Sequence, residues 1–185
     1  NWNKYWLVDP LDGTKEFIKK NGEFTVNIAL IENNKPILGV IYAPVNSVLY
    51  FAQENYGSYK INTNTQLANL TGSKKIVVSK KSSIERIIGS RSHSNQSFDS
   101  WINEKFPNAK IIQAGSSLKF CLIAEGAADI YPRFGPTSEW DIAAGHIIVN
   151  EAGGKISTFE NSEIHYNTKE DLLNPQFYAI GNFKI

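Results

Sequence analysis

Strand-forming residues dominate the first part of the chain, and polar clusters punctuate them. Tyr5, Trp6, Leu7 and Val8 read as a strand that ends at Asp9. Residues 24–31 (Phe-Thr-Val-Asn-Ile-Ala-Leu-Ile) and 36–42 (Pro-Ile-Leu-Gly-Val-Ile-Tyr) flank a polar turn at 32–35, which is a hairpin pattern. Residues 48–52 continue the meander, so 22–59 is predicted as antiparallel strands. The Asn-, Thr-, Ser- and Gly-rich stretch 60–75 reads as an exposed excursion. Two short apolar runs, at 76–78 and 87–90, bracket a Lys-Lys-Ser-Ser stretch taken as a boundary between lobes 1–82 and 83–185. The second lobe is predicted to hold a helix near 95–106, a helix at 118–125, a strand at 128–131, a helix opened by Trp140 and a terminal strand at 177–180. Strands alternating with helices imply an α/β lobe beside the antiparallel one. The sheet of the first lobe then needs a covering layer over its apolar face.

Two segments carry chemistry. Asp9-Pro10-Leu11-Asp12-Gly13-Thr14 ends the first strand with two carboxylates three residues apart. Hard cations such as Mg²⁺ take oxygen ligands and are usually held by one or two carboxylates plus substrate phosphate. Gly13 permits close backbone approach, and Thr14 begins a helix-like run whose free N–H groups favour a phosphate. An Asp-rich turn that merely caps a helix would look the same. The other segment runs from Trp140-Asp141-Ile142-Ala143-Ala144-Gly145-His146 to Glu151-Ala152-Gly153-Gly154. It reads as a buried helix with a glycine stop, and Asp141 sits in its first turn, where a carboxylate suits the macrodipole.

At 185 residues the chain is long enough to bury about 70% of its unfolded surface, as one large domain or two lobes. Nineteen basic against 18 acidic residues, net charge +1, leave no basic stripe, which argues against broad nucleic-acid binding. Lys74-Lys75 and Lys80-Lys81 read as solvated strand ends. Cys121 is the single cysteine, so neither an internal disulfide nor a Cys-ligated metal cage can form, and a buried place on a helix suits it. His146 lies within an apolar helix and His165 in a polar loop, a pattern without a His-rich metal site. No run is long enough to span a bilayer. The default location is the cytoplasm, with peripheral attachment at the inner membrane as an added option.

Taken together, the two signatures resemble those of the inositol monophosphatase superfamily of metal-dependent phosphatases. The closer resemblance is to its 3′(2′),5′-bisphosphate nucleotidases of the bacterial CysQ type. It is carried by residues 9–18, by Gly-Glu-Phe-Thr-Val-Asn-Ile-Ala-Leu at 22–30, by Ser-Arg-Ser-His at 90–93, by Gly-Ser-Ser-Leu-Lys-Phe-Cys at 115–121, and by residues 131–141. The resemblance implies a layered α-β-α-β-α sugar-phosphatase fold of mixed α+β and α/β character. It makes Asp9, the Leu11 carbonyl, Asp12 and Asp141 metal ligands, with Mg²⁺ as cofactor. Gly13 and Thr14 become donors to the scissile phosphate, and Thr14 a helper in orienting the attacking water. Ser90, His93, Gly115 and Lys119 align with positions that hold the sugar, base and second phosphate of a nucleotide bisphosphate, Lys119 as the charge partner of an anion.

The implied reaction removes the 3′-phosphate of adenosine 3′,5′-bisphosphate, with the phosphosulfate analogue as a second substrate. Inositol monophosphate and fructose bisphosphate are the runners-up, and a non-enzymatic nucleotide- or metal-sensing module is a rival of another class. An aspartyl-phosphate phosphatase is disfavoured by spacing, since its paired Asp residues stand two apart and these stand three apart. Family members begin with helices that carry a metal-binding Glu pair and a water-activating carboxylate. Nothing here corresponds, so the resemblance implies a piece of a longer protein, weakly active alone. Its sharpest structural expectation is that Asp9, Asp12 and Asp141 converge at the lobe junction.

Overall fold

A computed structural model describes residues 2–63, 70–91 and 96–183. Six strands, β1 (Lys4–Asp12), β2 (Thr25–Glu32), β3 (Lys35–Ala43), β4 (Val48–Gln53), β5 (Gly57–Asn62) and β6 (Lys74–Ile76), form an antiparallel meander in which each pairs with the next. A five-residue helix, α1 (Thr14–Ile18), interrupts the connection from β1 to β2. The β2–β3 hairpin turns on Asn33 and Asn34, both left-handed at φ 50° and 64°, the conformation a two-residue turn of matching twist requires and Asn tolerates. Asn34 also clasps residue 166, its amide donating to the Tyr166 carbonyl at 2.6 Å.

A second sheet is built from β7 (Arg86–Ser90), β8 (Lys110–Ala114), β9 (Ile130–Arg133), β10 (Lys155–Thr158) and β11 (Phe177–Ile180), in the order β10-β11-β9-β7-β8. Strands β8, β7 and β9 run parallel, and β11 and β10 add antiparallel. Helices α3 (Leu118–Ala124) and α4 (Glu139–Glu151) lie between the sheets, while α2 (Gln96–Lys105) packs with Ile87, Ile130 and Tyr178 on the outer side of the second sheet. The architecture is α+β in alternating layers.

Helix α4 touches strands of both sheets because both allow close approach. On the first sheet, Ala29, Gly39, Ala52 and Ser58 stand in register as a row of small residues. A methyl group on Gly39 would lie 2.6 Å from the Ala144 carbonyl, so backbone meets backbone there. On the far side, Gly145 abuts the Phe120 ring of α3. One core therefore runs from Ile31 and Ile41 through Ile142 and Ile148 to Phe177. Cys121 is buried within it on α3, and His146 is buried on α4, its Nδ1 2.9 Å from the Tyr166 hydroxyl.

The opposite face of the first sheet remains apolar and partly open. Trp6 and Val8 are 58% and 47% exposed, beside the half-buried Ile28, Leu30, Val40 and Phe51, with Phe51 stacked on Tyr59. This is the face for which the sequence asks a covering layer.

The stretch 60–75 is more ordered than its composition implies. Strand β5 continues to Asn62 because Ile61 pairs with Leu49 and is buried, while Lys60 bonds Glu125 at 2.7 Å and lies over the Tyr50 ring. Residues 74–76 form β6, and 64–69 lie outside the described residues. Strands β8 and β10 have no counterpart in the sequence reading, and β9 starts two residues beyond the position expected. Among the described residues no helix is long and apolar enough to cross a membrane, and no finding supports attachment at the inner membrane.

Candidate functional site

The first motif works through a β-bulge. In a regular strand, residues three apart face opposite sides. Here Asp9 pairs with Asn27 and Asp12 with Thr25, so three steps on β1 match two on β2 and the register shifts between them. Pro10, which has no N–H for the ladder, sits in the shifted segment. The extra residue turns Asp9 and Asp12 to one side, and Gly13, at φ 86°, then swings the chain into α1.

Asp141 arrives from the first turn of α4. Single carboxylate oxygens of Asp9, Asp12 and Asp141 all lie within 4.8 Å of one another, so residues 132 positions apart in sequence converge as expected. Each carboxylate has one oxygen held by the protein. Asp9 Oδ1 accepts from the Leu11 N–H at 3.0 Å, Asp141 Oδ2 from the Ser138 N–H at 2.7 Å, and Asp12 Oδ2 from the hydroxyls of Ser116 and Ser117, both at 2.7 Å. Burial raises the Asp141 carboxyl to about 6; the Ser138 N–H opposes the shift, and the charges of Asp12 and Asp9 add to it. Asp9 is likewise raised, first by burial and then by Asp12, against the Leu11 N–H. Clustered carboxylates that repel one another favour a proton or a cation among them.

A cavity of about 220 Å³ opens beside the cluster. Lys119 reaches it from α3, 8% exposed, with its ammonium 5.5 Å from the centroid of the Tyr131 ring and no ion pair among the described residues. Burial lowers its pKa to about 8, Asp12 counteracts this, and Arg133 reinforces it. Arg133, on β9, also lines the cavity, its guanidinium held by the carbonyls of Gly135 and Pro136 at 3.1 and 3.0 Å. The loop of Gly115, Ser116 and Ser117 is pinned from outside: Glu23 accepts the Gly115 N–H at 2.8 Å and takes two bonds from the Nε and Nη2 edge of Arg91.

Of the residues singled out in the sequence, Asp12, Gly13, Thr14, Ser90, Gly115, Lys119 and Asp141 line this one cavity. Asp9 belongs to the carboxylate cluster but not to the cavity wall, and Leu11 sits on the bulge with its N–H turned to Asp9. His93 lies outside the described residues. Sequence reasoning gave no role in the site to Ser116, Ser117, Tyr131, Arg133 or Thr137. One signal for the serines was present: Asn27 and Thr25 interrupt an apolar strand at inward positions, and buried polar groups need partners.

Over residues 1–180 the chain matches the inositol monophosphatase family. It is 52% identical over 181 residues to the 3′(2′),5′-bisphosphate nucleotidase CysQ of Buchnera aphidicola, covering 97% of this chain and 65% of that protein. The CysQ of Escherichia coli K12 is 46% identical over 177 residues, covering 96% and 68%. The chain thus spans about two thirds of the length of the curated relatives it matches. Among solved structures, the CysQ of Bacteroides thetaiotaomicron superposes with a TM-score of 0.90 at 44% identity, over 100% of this chain and 72% of that one. An inositol monophosphatase from Anabaena superposes at 0.78 with 25% identity, over 98% and 70%. A match that runs almost end to end, with close relatives in sequence and the same fold in solved structures, leaves one conclusion: the chain belongs to the inositol monophosphatase family.

Proposed function

We propose that this protein is part or all of a Mg²⁺-dependent phosphomonoesterase that removes the 3′-phosphate of adenosine 3′,5′-bisphosphate. The observation that carries the reading is one cavity that brings a three-carboxylate cluster together with a buried ammonium that has no ion pair among the described residues. A substrate with two phosphates offers one to the metal cluster and one to the ammonium. The CysQ relatives carry a bisphosphate nucleotidase name, which favours the nucleotide over an inositol or sugar phosphate.

The donor set fits a hard divalent cation. It is all oxygen, with three of its members carboxylates, and each carboxylate keeps one oxygen clear of the protein bonds described above. Asp9, Asp12, Asp141 and the Leu11 carbonyl would hold the metal, which supplies Lewis acidity toward phosphoryl oxygen and water. In this reading the Gly13 and Thr14 N–H groups bind the scissile phosphate, and the Thr14 hydroxyl orients the attacking water. Ser90, Gly115, Lys119 and, by resemblance, His93 hold the sugar, base and second phosphate. Arg133, on the same cavity wall, adds a second positive charge. The aspartyl-phosphate alternative has no place within this family. The division into lobes 1–82 and 83–185 is likewise a proposal, supported by the change of sheet between Ile76 and Arg86.

Phosphate release from adenosine 3′,5′-bisphosphate, inositol 1-phosphate and fructose 1,6-bisphosphate, measured with and without Mg²⁺ beside direct nucleotide binding, tests the reading. Preference for the nucleotide with an absolute metal requirement is expected of the catalytically competent protein. Tight nucleotide binding without turnover would support a sensing module, and preference for inositol phosphate would overturn the substrate assignment.

A further inference from the structure

We infer that Ser116 and Ser117, backed by Thr25 and Asn27, are positioning residues that decide which oxygen of Asp12 meets the metal. The inference rests on the reading of Asp9, Asp12 and Asp141 as metal ligands.

Four neutral polar side chains surround a single carboxylate oxygen. Asp12 Oδ2 lies 2.7 Å from Ser116 Oγ, 2.7 Å from Ser117 Oγ, 3.3 Å from Asn27 Nδ2 and 3.5 Å from Thr25 Oγ1. All four residues are buried, Thr25 and Asn27 almost completely at 0% and 1% exposure, so water does not compete for these bonds. Proton counting then fixes the direction. A carboxylate only accepts and each hydroxyl has one proton, so Ser116 and Ser117 both spend theirs on Asp12. Each must accept from behind. Ser117 takes the Asn27 amide N–H at 2.8 Å, and Ser116, whose own proton goes to Asp12, takes the Thr25 hydroxyl at 2.5 Å in preference to Asn27 Oδ1, which lies farther from Thr25 at 2.9 Å. The result is two parallel relays, Asn27 to Ser117 to Asp12 and Thr25 to Ser116 to Asp12.

The acceptor capacity of Oδ2 is thereby filled, and Oδ1 is the oxygen left for a cation. Ser117 also ties two ligands together, because the main-chain carbonyl of Asp141 lies 3.0 Å from its Oγ as the competing, uncharged acceptor. A charged acceptor 0.3 Å nearer takes the proton. The carboxylate from β1 and the first turn of α4 are thus set against one another through one hydroxyl on the α3 loop. Such outer partners of ligands typically govern metal affinity by 10- to 100-fold.

Mn²⁺ is the probe, with its affinity measured by calorimetry on Ser116→Ala, Ser117→Ala and the double variant, alongside thermal midpoints with and without Mn²⁺. Each single variant is expected to weaken Mn²⁺ by about tenfold and to shrink the metal-induced rise in midpoint, while the metal-free midpoint moves much less. Ser116→Ala, at the less buried of the two serines, serves where Ser117→Ala does not fold. Asp141→Asn separates this inference from the reading beneath it. Unchanged Mn²⁺ affinity in Asp141→Asn would remove the metal site itself. If Asp141→Asn loses the metal while both serine variants bind it like the parent, the positioning role is wrong and the metal site stands. Equal loss of midpoint with and without Mn²⁺ would reduce the serines to fold stabilisers and overturn the inference.

Discussion

Replacing Gly39 by alanine should damage stability and the metal cluster together. A Cβ built there would lie 2.4 Å from Ile147 Cγ2, 2.6 Å from the Ala144 carbonyl oxygen and 3.1 Å from Ala144 Cα. The isoleucine can rotate, but the carbonyl belongs to the backbone of α4. Relief therefore requires the helix to retreat from β3 by several tenths of an ångström or more. Overpacking of this kind costs about 1–3 kcal/mol. At this chain length that corresponds to a fall in thermal midpoint of roughly 2–12 °C, taking about 2–4 °C per kcal/mol. Asp141 rides on the first turn of the same helix, while Asp9 and Asp12 stay with the sheet. A retreat opens a cluster now closed within 4.8 Å, and a misplacement of about 1 Å can cost on the order of 100-fold in rate. Thermal denaturation and a Mg²⁺ titration of Gly39→Ala measure both effects. Gly135→Ala is the control, since the nearest atom to its Cβ stands at 3.7 Å, an ordinary contact. An unchanged midpoint and unchanged metal dependence in Gly39→Ala would refute the claim that backbone contact between β3 and α4 sets the position of Asp141.

Other perturbations reach other parts of the molecule. Lys119→Ala should weaken adenosine 3′,5′-bisphosphate more than inorganic phosphate, by about 1.5–3 kcal/mol, and in the parent the KM should climb as pH rises through about 8, where burial makes the ammonium lose its proton. His146 is buried and neutral, its pKa lowered to about 4 from 6.5, so the unfolded chain binds the extra proton between those values. Stability should therefore fall as pH drops through that window, by up to roughly 1.4 kcal/mol per unit relative to His146→Gln, and a constant difference by denaturant titration would contradict it. Burial alone would raise the Asp129 carboxyl, but the Arg86 guanidinium at 2.6 Å and two backbone N–H groups outweigh it and hold the value low. Asp129→Asn should cost about 3 kcal/mol because Arg86 loses its partner, and the parent should lose this contribution only as pH falls below the normal Asp range; a loss under 1 kcal/mol in calorimetry would count against it.

The hairpins β2–β3 and β3–β4 were legible because β-branched residues filled them and a polar turn separated the first pair. Helix α4 was legible from its apolar run and glycine stop. Strand β8 was not, since Lys110 and Ile111 are exposed and only Ala114 of its five residues is buried, a pattern without a two-residue period. Strand β10 hides for a different reason: Ser157 and Thr158 are buried polar residues whose bonds run to residue 162, and composition alone marks them as loop. Within the site, the charged ligands were legible from spacing and resemblance. The neutral residues that hold them were not, because the bonds joining Ser116 and Ser117 to Asp12, and Ser116 to Thr25, reach across about 90 to 105 positions of sequence.

The first sheet is complete by Ile76, and every pairing in it joins neighbours in the chain. Its inner face is covered by α4, which begins at Glu139, roughly 60 residues later. At about 5–20 residues per second, a ribosome would leave that face bare for roughly 3–12 s after the meander could close. Hairpins form in microseconds, so a two-faced apolar sheet precedes the helix that buries one side of it. Residues such as Ile31, Ile41 and Tyr50 must therefore survive a window in which a chaperone or a neighbouring chain competes with α4 for the same surface.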